Sequence, residues 1–190
     1  MIARRDFLAT ATLLVAGGAT WADDARTVGP EEILLIRHAE KPTAAHDIHL
    51  NPRGRARADA LIRLFPARFQ PPTFLFAARQ SKLSNRPVET LQPLARSLKL
   101  SIDDRFADAE YSQLVTALRQ RAYNEARVLI CWHHESIPAL ARALGATRAP
   151  AKWSDDVFDR IWRLRSDAST LTFTELNQDL LPGDAPARAS

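Results

Sequence analysis

The chain has 190 residues, of which 46% are hydrophobic and 25% charged, and this composition is ordinary for a soluble globular protein. A chain of this length fits one domain. The formal net charge of +4 is modest and the basic residues form no long run, so the composition gives little support to a nucleic-acid-binding function.

The first residues have the pattern of an export signal. Arg4-Arg5 is followed by the bulky apolar pair Phe7-Leu8 and by the apolar stretch Ala9–Ala19, with small residues suited to cleavage after Ala22. We therefore expect a twin-arginine signal peptide over residues 1–22, recognised by the twin-arginine export machinery, and a periplasmic or secreted protein. The stretch is too short and too weakly apolar for a convincing membrane span, so no stable membrane insertion is expected once the signal is removed.

The first strand is predicted at the start of the segment Glu31–Pro42, which reads EEILLIRHAEKP. Ile33–Ile36 is an apolar run of strand length, and Arg37-His38 follows it at once. Open α/β sheets bind ligands just beyond the carboxyl ends of their strands. Arg37 and His38 are therefore candidate site residues.

A helix is predicted to begin at Asn51-Pro52, because asparagine caps helices and proline is favoured at the first helical position. Gly54 weakens the helix, and close approach of a ligand or of neighbouring backbone would explain it. The helix also carries three arginines that are most simply expected on a solvated face: Arg53, Arg55 and Arg57.

The second strand is predicted at Thr73–Ala77, followed by the polar loop Arg79–Asn85. A second helix begins near Arg86-Pro87, and Pro93 falls inside it, where it should kink the helix. A third amphipathic helix is indicated by apolar residues at helical spacing: Tyr111, Leu114, Val115 and Leu118.

The clearest buried strand is Ala126–Trp132, which contains the single cysteine, Cys131, and runs into His133-His134-Glu135. Cys131 has no partner for an intramolecular disulfide and is predicted to be a buried small hydrophobe. Ser136 can cap a fourth helix. The β-like runs Phe158–Leu164 and Thr170–Leu176 are then expected to pair as a hairpin, and residues 183–190 to form a disordered tail.

This order of elements predicts a three-layer α/β/α sandwich with a mostly parallel central sheet, in one domain over residues 23–182. Two strands then deliver histidines, at His38 and at His133-His134, and Arg86 begins the helix after the second strand. If these strands are near neighbours, their ends bring guanidinium groups, imidazoles and helix ends into one pocket, and such groups together make a phosphoryl-group site. A histidine there can attack phosphorus and hold a phosphohistidine.

Four segments in order resemble the histidine phosphatase superfamily, the phosphoglycerate mutase-like proteins. LLIRHAEKP is similar to the Arg-His strand signature of that family. Leu50–Gly54 resembles its Leu-Thr-x-x-Gly helix entry, Arg86–Thr90 its Arg-x-x-Gln-Thr segment, and VLICWHHESIP its second-histidine strand. The resemblance extends from about Glu31 to Gly145. It implies a phosphoglycerate mutase-like fold and no metal or organic cofactor.

The resemblance also implies a role for each matching residue. His38 is the nucleophile, Arg37 and Arg86 hold the phosphoryl oxygens, and a second histidine donates to them. Arg79 is a rival for the second arginine, but the spacing of Arg86 to Thr90 fits the family pattern better. An acidic residue protonates the leaving group and then activates water.

The second histidine and the acid stay open. Counting from the start of the strand favours His133, whereas aligning on Trp132 and Ile137-Pro138 favours His134, which we prefer. Glu135 lies where acid-phosphatase relatives place the acid. Mutase-like relatives place it in the segment after the second strand, where two carboxylates are available: Asp108 and Glu110. Lys41 could help to bind an anionic substrate or could simply be solvated.

The sequence thus predicts a phosphatase for a phosphomonoester or phosphohistidine, carried by a phosphorylated small molecule or a phosphoprotein. The alternative is a non-catalytic phosphate-binding member of the same fold. A metal site built from His46, His49, His133 and His134 is a weaker idea. His134-Glu135 is not followed by a histidine at the helical spacing of a zinc-protease motif.

Overall fold

The structure, a computed structural model, describes residues 29–44, 46–167 and 170–185. The predicted export signal lies outside them. The main helices and strands are, in chain order, β1 (Glu32–Arg37), α1 (Pro52–Ala60), β2 (Phe74–Ala77), α2 (Arg86–Leu98), β3 (Ile102–Asp103), α3 (Tyr111–Leu118), β4 (Arg127–Trp132), α4 (Ile137–Ala143), β5 (Arg160–Asp167) and β6 (Thr170–Asn177). Short 3₁₀ turns cover Leu61–Leu64, Asp108–Glu110 and Arg121–Tyr123.

The strands form one six-stranded sheet in the order β3-β2-β4-β1-β5-β6. Strands β1 to β4 run parallel to one another, and β5 and β6 are antiparallel additions at one edge. The predicted mostly parallel sheet and the terminal hairpin are therefore confirmed. The two-residue strand β3 was not predicted, since its segment is short and polar.

Alternate residues of the strands supply two apolar cores, one on each face of the sheet. Ile33 and Leu35 of β1 pack on the side of α3 and α4. Leu34 and Ile36 pack on the side of α1 and α2. This alternation confirms the three-layer arrangement, because a strand buried on both faces must be apolar at every position.

Helix α1 begins as predicted. Asn51 is its N-cap, and the Asn51 Oδ1 atom accepts a hydrogen bond of 2.7 Å from the backbone N–H of Gly54. A Cβ atom at position 54 would collide with the backbone of Glu40. Gly54 therefore allows the segment that follows His38 to approach α1 closely. This confirms the close approach of neighbouring backbone, one of the two predicted explanations of Gly54.

Two expectations about polar residues were wrong. Arg57 is not on a solvated face, since only 3% of the residue is exposed. Asp184 does not belong to a free tail, because its carboxylate is ion-paired with Arg57 and Arg53 and its side chain is 1% exposed. Neither contact could be predicted, because it joins residues more than 120 positions apart in the chain. Residues 186–190 of the predicted tail lie outside the described residues.

In the described part of the chain, no helix has the length and apolar character needed to cross a bilayer.

Candidate active site

The carboxyl ends of β1 and β4 lie side by side and bring His38 and His133 together. These strands pair in parallel with Arg37 opposite Trp132, and the backbone N–H of His38 donates to the Trp132 carbonyl at 3.1 Å. The rings of His38 and His133 meet edge to face, with centroids 5.3 Å apart. The two strand-end motifs thus form one site, as the sheet order requires.

His38 is buried, with 2% of the residue exposed. Its Nδ1 atom lies 2.7 Å from the Ala39 carbonyl oxygen. A carbonyl can only accept, so Nδ1 carries the proton and Nε2 presents a lone pair. Burial lowers the pKa of His38 well below its usual value, and the neighbouring His133 and Arg37 lower it further. The ring is therefore a neutral base at neutral pH.

The segment after His38 is tied to helix α2. The Ala39 N–H donates to Thr90 Oγ1 at 2.9 Å, and the Thr90 hydroxyl donates to the Arg86 carbonyl at 2.8 Å. Thr90 is the last residue of the Arg86–Thr90 motif. Its spacing from Arg86 therefore has a structural reason, which is to join the His38 segment to the start of α2.

Arg37 is a buried cation with free hydrogen-bonding capacity. Its Nη1 atom donates to backbone carbonyls of the loop before β5, at 2.5 Å from Asp155 and 3.4 Å from Val157. Its Nε and Nη2 atoms are buried and have no hydrogen-bond partner in the described part of the chain. Burial lowers the pKa of Arg37 to about 10. An anion bound at Nε and Nη2 would relieve both the desolvation and the missing bonds.

Phe158 was missed by sequence reasoning. The guanidinium carbon of Arg37 lies 3.9 Å from the centroid of the Phe158 ring, and the ring centroid of His38 lies 6.2 Å away. The aromatic face holds the guanidinium plane by a cation–π contact. No local pattern marks Phe158, because only the return of the chain from α4 to β5 places it beneath Arg37.

Arg86 is the better placed of the two candidate second arginines. It begins α2, its Nη1 donates to the Asp47 carbonyl at 2.9 Å, and its buried Nε has no partner within the described residues. Burial lowers its pKa, and its charge in turn lowers the pKa of His133. Arg79 is half exposed and is occupied by Glu110 at 3.3 Å and by the Arg105 carbonyl at 2.9 Å.

The two consecutive histidines after β4 have different surroundings. His133 contacts the ring of His38, and burial followed by the charge of Arg86 lowers its pKa to about 4. His134 has its Nε2 atom 3.4 Å from an Asp155 carboxylate oxygen and 3.9 Å from Glu135. Burial and then the charge of Arg37 lower its pKa too. The contact with His38 is made by His133, whereas the alignment argument preferred His134.

The three candidate acids also differ. Asp108 is half-buried and its Oδ2 accepts a 2.9 Å hydrogen bond from Ser136, while its buried Oδ1 has no partner among the described residues. Burial raises its pKa. Glu110 is occupied, since its Oε2 accepts from Arg79 and from the Ala107 N–H. Glu135 follows the histidines directly but its side chain is 78% exposed.

The Asp108 backbone is fixed to the same strand end. The indole N–H of Trp132 donates to the Asp108 carbonyl at 3.2 Å. Asp108 therefore lies beside the β4 end from which His133 and His134 project. Lys41, by contrast, has an exposed side chain.

Other features do not compete with this site. A cleft of about 350 Å³ lies between α1 and α2 and is lined by His49, Arg55, Glu89 and Arg96 among others, but not by His38, Arg37 or His133. Cys131 is fully buried, and burial raises the pKa of its thiol. Within the described residues, no group of three or more His, Cys, Asp or Glu side chains could hold a metal ion.

Comparison with solved structures identifies the fold. The chain is similar to the protein histidine phosphatase SixA complexed with tungstate (TM-score 0.56, 17% identity, covering 77% of this chain and 97% of that one). It is similar to phosphoserine phosphatase from Entamoeba histolytica in complex with 3-phosphoglyceric acid (TM-score 0.55, 15% identity, 79% and 99%). It is also similar to phosphoglycerate mutase from Bacillus anthracis (TM-score 0.53, 12% identity, 76% and 92%).

The class that these likenesses define is a mixed α/β protein with a six-stranded central sheet. In particular, the chain has the phosphoglycerate mutase-like fold shared by histidine phosphatases, as the sequence predicted. No protein-family model matches the chain, and its sequence matches no curated protein. At identities this low the likeness shows the fold, and function must be argued from the site.

Proposed function

We propose that this chain is a phosphatase that hydrolyses a phosphomonoester or phosphohistidine through a phosphohistidine intermediate on His38. The observation that carries the proposal is a buried neutral imidazole next to a buried guanidinium, two of whose nitrogen atoms have no hydrogen-bond partner within residues 29–44, 46–167 and 170–185. The first group is a nucleophile and the second is an anion receptor. The phosphatases of the same fold support this assignment.

In this proposal the phosphoryl group lies between cationic and donor groups at the strand ends. Arg37 donates from Nε and Nη2, and Arg86 donates from its free Nε. His133 donates from a ring nitrogen to a phosphoryl oxygen. The negative charge of the substrate raises the pKa of each group that it contacts, so substrate binding favours protonation of His133.

The chemistry takes two steps. The Nε2 lone pair of His38 attacks phosphorus while the bond from phosphorus to the leaving oxygen breaks, and a carboxylic acid gives its proton to that oxygen. The same carboxylate then takes a proton from water, whose oxygen attacks phosphorus. The phosphorus–nitrogen bond breaks, so that inorganic phosphate leaves and His38 is again neutral.

We assign the acid to Asp108 and keep Glu135 as its rival. A general acid must hold a proton near the working pH, and burial shifts the pKa of Asp108 in that direction. Its unpartnered Oδ1 is free to approach a leaving group. Glu135 is the more exposed carboxylate, although its position directly after His134 suits an acid.

The proposed substrates are phosphorylated small molecules or phosphoproteins met outside the cytoplasm, after export by the twin-arginine route. The location rests on the N-terminal pattern of residues 1–22.

The experiment is hydrolysis of an aryl phosphate by the purified protein and by His38→Ala. The proposal predicts turnover by the wild type and none by the variant. Equal rates would reject His38 as nucleophile. Binding of inorganic phosphate or vanadate without hydrolysis of any member of a phosphomonoester panel would favour the non-catalytic alternative.

A further inference from the structure

Arg57 is the centre of a buried network that the proposed reaction does not use. The residue projects from α1 and is 3% exposed. Its Nε and Nη2 atoms donate to the Glu40 carboxylate, the shortest of these bonds being 2.7 Å. Its Nη1 and Nη2 atoms donate to the two oxygens of Asp184 at 2.7 Å each. Every nitrogen of the guanidinium is therefore occupied.

One branch of the network reaches the segment that carries the nucleophile. Glu40 is two residues after His38, and its carboxylate is held by Arg57 and, at 3.1 Å, by Arg53. The Glu40 backbone carbonyl accepts from the Asn51 N–H at 3.0 Å, and Gly54 packs against the same backbone. Ala39, whose carbonyl accepts the hydrogen bond from the His38 ring, directly precedes Glu40 in the chain. Anchoring Glu40 therefore helps to fix that carbonyl.

A second branch reaches the aromatic ring beneath Arg37. Arg57 Nη1 lies 3.3 Å from Gln178 Oε1, and Gln178 Nε2 donates to the Phe158 carbonyl at 3.2 Å. Gln178 is 1% exposed. The network thus holds the backbone of Phe158, whose ring contacts both Arg37 and His38.

The C-terminal segment closes the network. Asp184 Oδ2 also accepts from the backbone N–H groups of Leu180 and Leu181 at 3.0 Å, so the carboxylate folds residues 180–184 into a turn over Arg57. The turn is also held at a second point, where Arg63 Nη2 donates to the Leu180 carbonyl at 2.7 Å. Among the described residues, Arg63 shares no hydrogen bond or ion pair with Arg57, so this second point provides a control.

We propose that Asp184, acting through Arg57, Glu40 and Gln178, is a positioning residue for His38 and for the Arg37–Phe158 pair. The network fixes the Ala39 carbonyl and the Phe158 backbone, and these two in turn fix the imidazole and the guanidinium. This inference rests on the proposed function for its effect on turnover, but the position of the His38 ring can be observed without turnover.

We expect the main effect of the network to be on the positions of His38 and Arg37 and not on the stability of the fold. A buried ion pair adds little net stability compared with apolar packing, because desolvation offsets the attraction. Buried networks of this kind instead define one geometry, and misplacement of a reacting group by a distant change lowers the rate. Position, rather than folding, is therefore the property to test.

The experiment compares Asp184→Asn with the control Arg63→Gln in the full chain. Asp184→Asn removes one of the two carboxylate charges that pair with Arg57, whereas Arg63→Gln loosens the same C-terminal turn and leaves both pairs intact. For an aryl phosphate we expect kcat to fall about tenfold in Asp184→Asn, with KM nearly unchanged, and to stay at the wild-type value in Arg63→Gln. Side-chain NMR of the His38 ring should shift in the first variant only.

A second variant keeps the test decisive if Asp184→Asn does not fold. Gln178→Met removes the side-chain hydrogen bonds to Arg57, Phe158 and Arg160 without altering a charge, and it should lower kcat by a smaller factor with the same unchanged KM. A wild-type kcat and unshifted His38 signals in a folded variant would overturn the positioning role. The same changes in Arg63→Gln would assign the effect to the C-terminal turn and would also overturn it.

Failure of the proposed function would have a different appearance. If the wild type hydrolyses no phosphomonoester, the phosphatase assignment fails. The positioning role is then decided by the NMR comparison alone, since it needs no substrate. Shifts confined to Asp184→Asn would support the role, and unshifted signals would reject it.

Discussion

Arg37 and Arg57 are both buried, with 1% and 3% of the residue exposed, but their guanidinium groups differ in how many hydrogen-bond partners they have. Arg57 has a partner at every nitrogen, and although burial opposes its charge, Asp184 and Glu40 raise its pKa above the usual value. Arg37 has two nitrogens without a partner in the part of the chain that the structure describes, and burial lowers its pKa to about 10. Burial alone therefore does not mark a functional arginine. Arg37 differs from Arg57 because two of its buried nitrogens have no partner among the described residues and can bind an anion.

Replacing Arg57 should have a large effect on the free energy of unfolding. Arg57→Met leaves Glu40 and Asp184 buried without a cation, and we expect a loss of about 3–5 kcal/mol in the free energy of unfolding. Urea denaturation measures it. Arg53→Met is the matched control, since Arg53 bonds to the same carboxylates from a side chain that is 46% exposed and should cost less than about 1 kcal/mol. Equal losses in the two variants would contradict the special status of Arg57.

Arg37→Met should show the reverse behaviour. We expect hydrolysis of an aryl phosphate to fall about 10³-fold, because the donors to the transferred phosphoryl group are lost. Stability should change little, since relief of an unpaired buried charge offsets the lost hydrogen bonds to backbone carbonyls. Steady-state kinetics and urea denaturation test both points. Arg79→Met, the exposed rival, should keep its activity, and a comparable loss there would shift the phosphate site toward Arg79.

The two histidines after β4 can be distinguished by their effect on turnover. His133→Asn should lower kcat about 10²-fold, because His133 contacts His38 and would donate to the phosphoryl group. His134→Asn should cause a much smaller loss, since His134 is engaged with the rim residue Asp155. Kinetics of the two variants with one aryl phosphate decide between them. The opposite order would restore the alignment that prefers His134.

The acid is tested by the leaving group and by pH. Asp108→Asn should lower hydrolysis of an alkyl phosphate about 10²-fold and affect an aryl phosphate little, because only the poor leaving group needs a proton. Glu135→Gln should lower neither. In the wild type, kcat/KM, which reports the ionising groups of the free enzyme, should rise with pH through the lowered pKa of His38 and fall through the raised pKa of Asp108.

The falling limb of that profile should disappear in Asp108→Asn and persist in Glu135→Gln. Both variants are compared on the same alkyl phosphate, so the ionisation of the substrate is common to them. A falling limb that survives in Asp108→Asn and is lost in Glu135→Gln would move the role of acid to Glu135.

Much of the fold was predictable because its signals are local. Apolar runs located β1, β2 and β4, Asn51 located the start of α1, and the same runs placed Arg37-His38 and His133-His134 at strand ends. A shared site required β1 and β4 to be near neighbours, and the observed sheet order meets that condition.

The rest depends on contacts that no local pattern encodes. Arg57 is read as solvated from its own helix, because the carboxylate that pairs it comes from Asp184 at the other end of the domain. Phe158 lies in a loop before β5 and becomes part of the site only when that loop closes over Arg37. The choice between His133 and His134 likewise turns on ring direction, which spacing in the sequence does not determine.

The proposed reaction requires that His38 carry the phosphoryl group as an intermediate. The most direct measurement is rapid mixing of the protein with an aryl phosphate, quenching in alkali, which preserves phosphohistidine, and mass spectrometry of the peptide that contains His38. We expect one added phosphoryl group on His38 in the wild type and none on the corresponding peptide of His38→Ala. Phosphorylation at another residue, or turnover with His38 unmodified at every quench time, would contradict it.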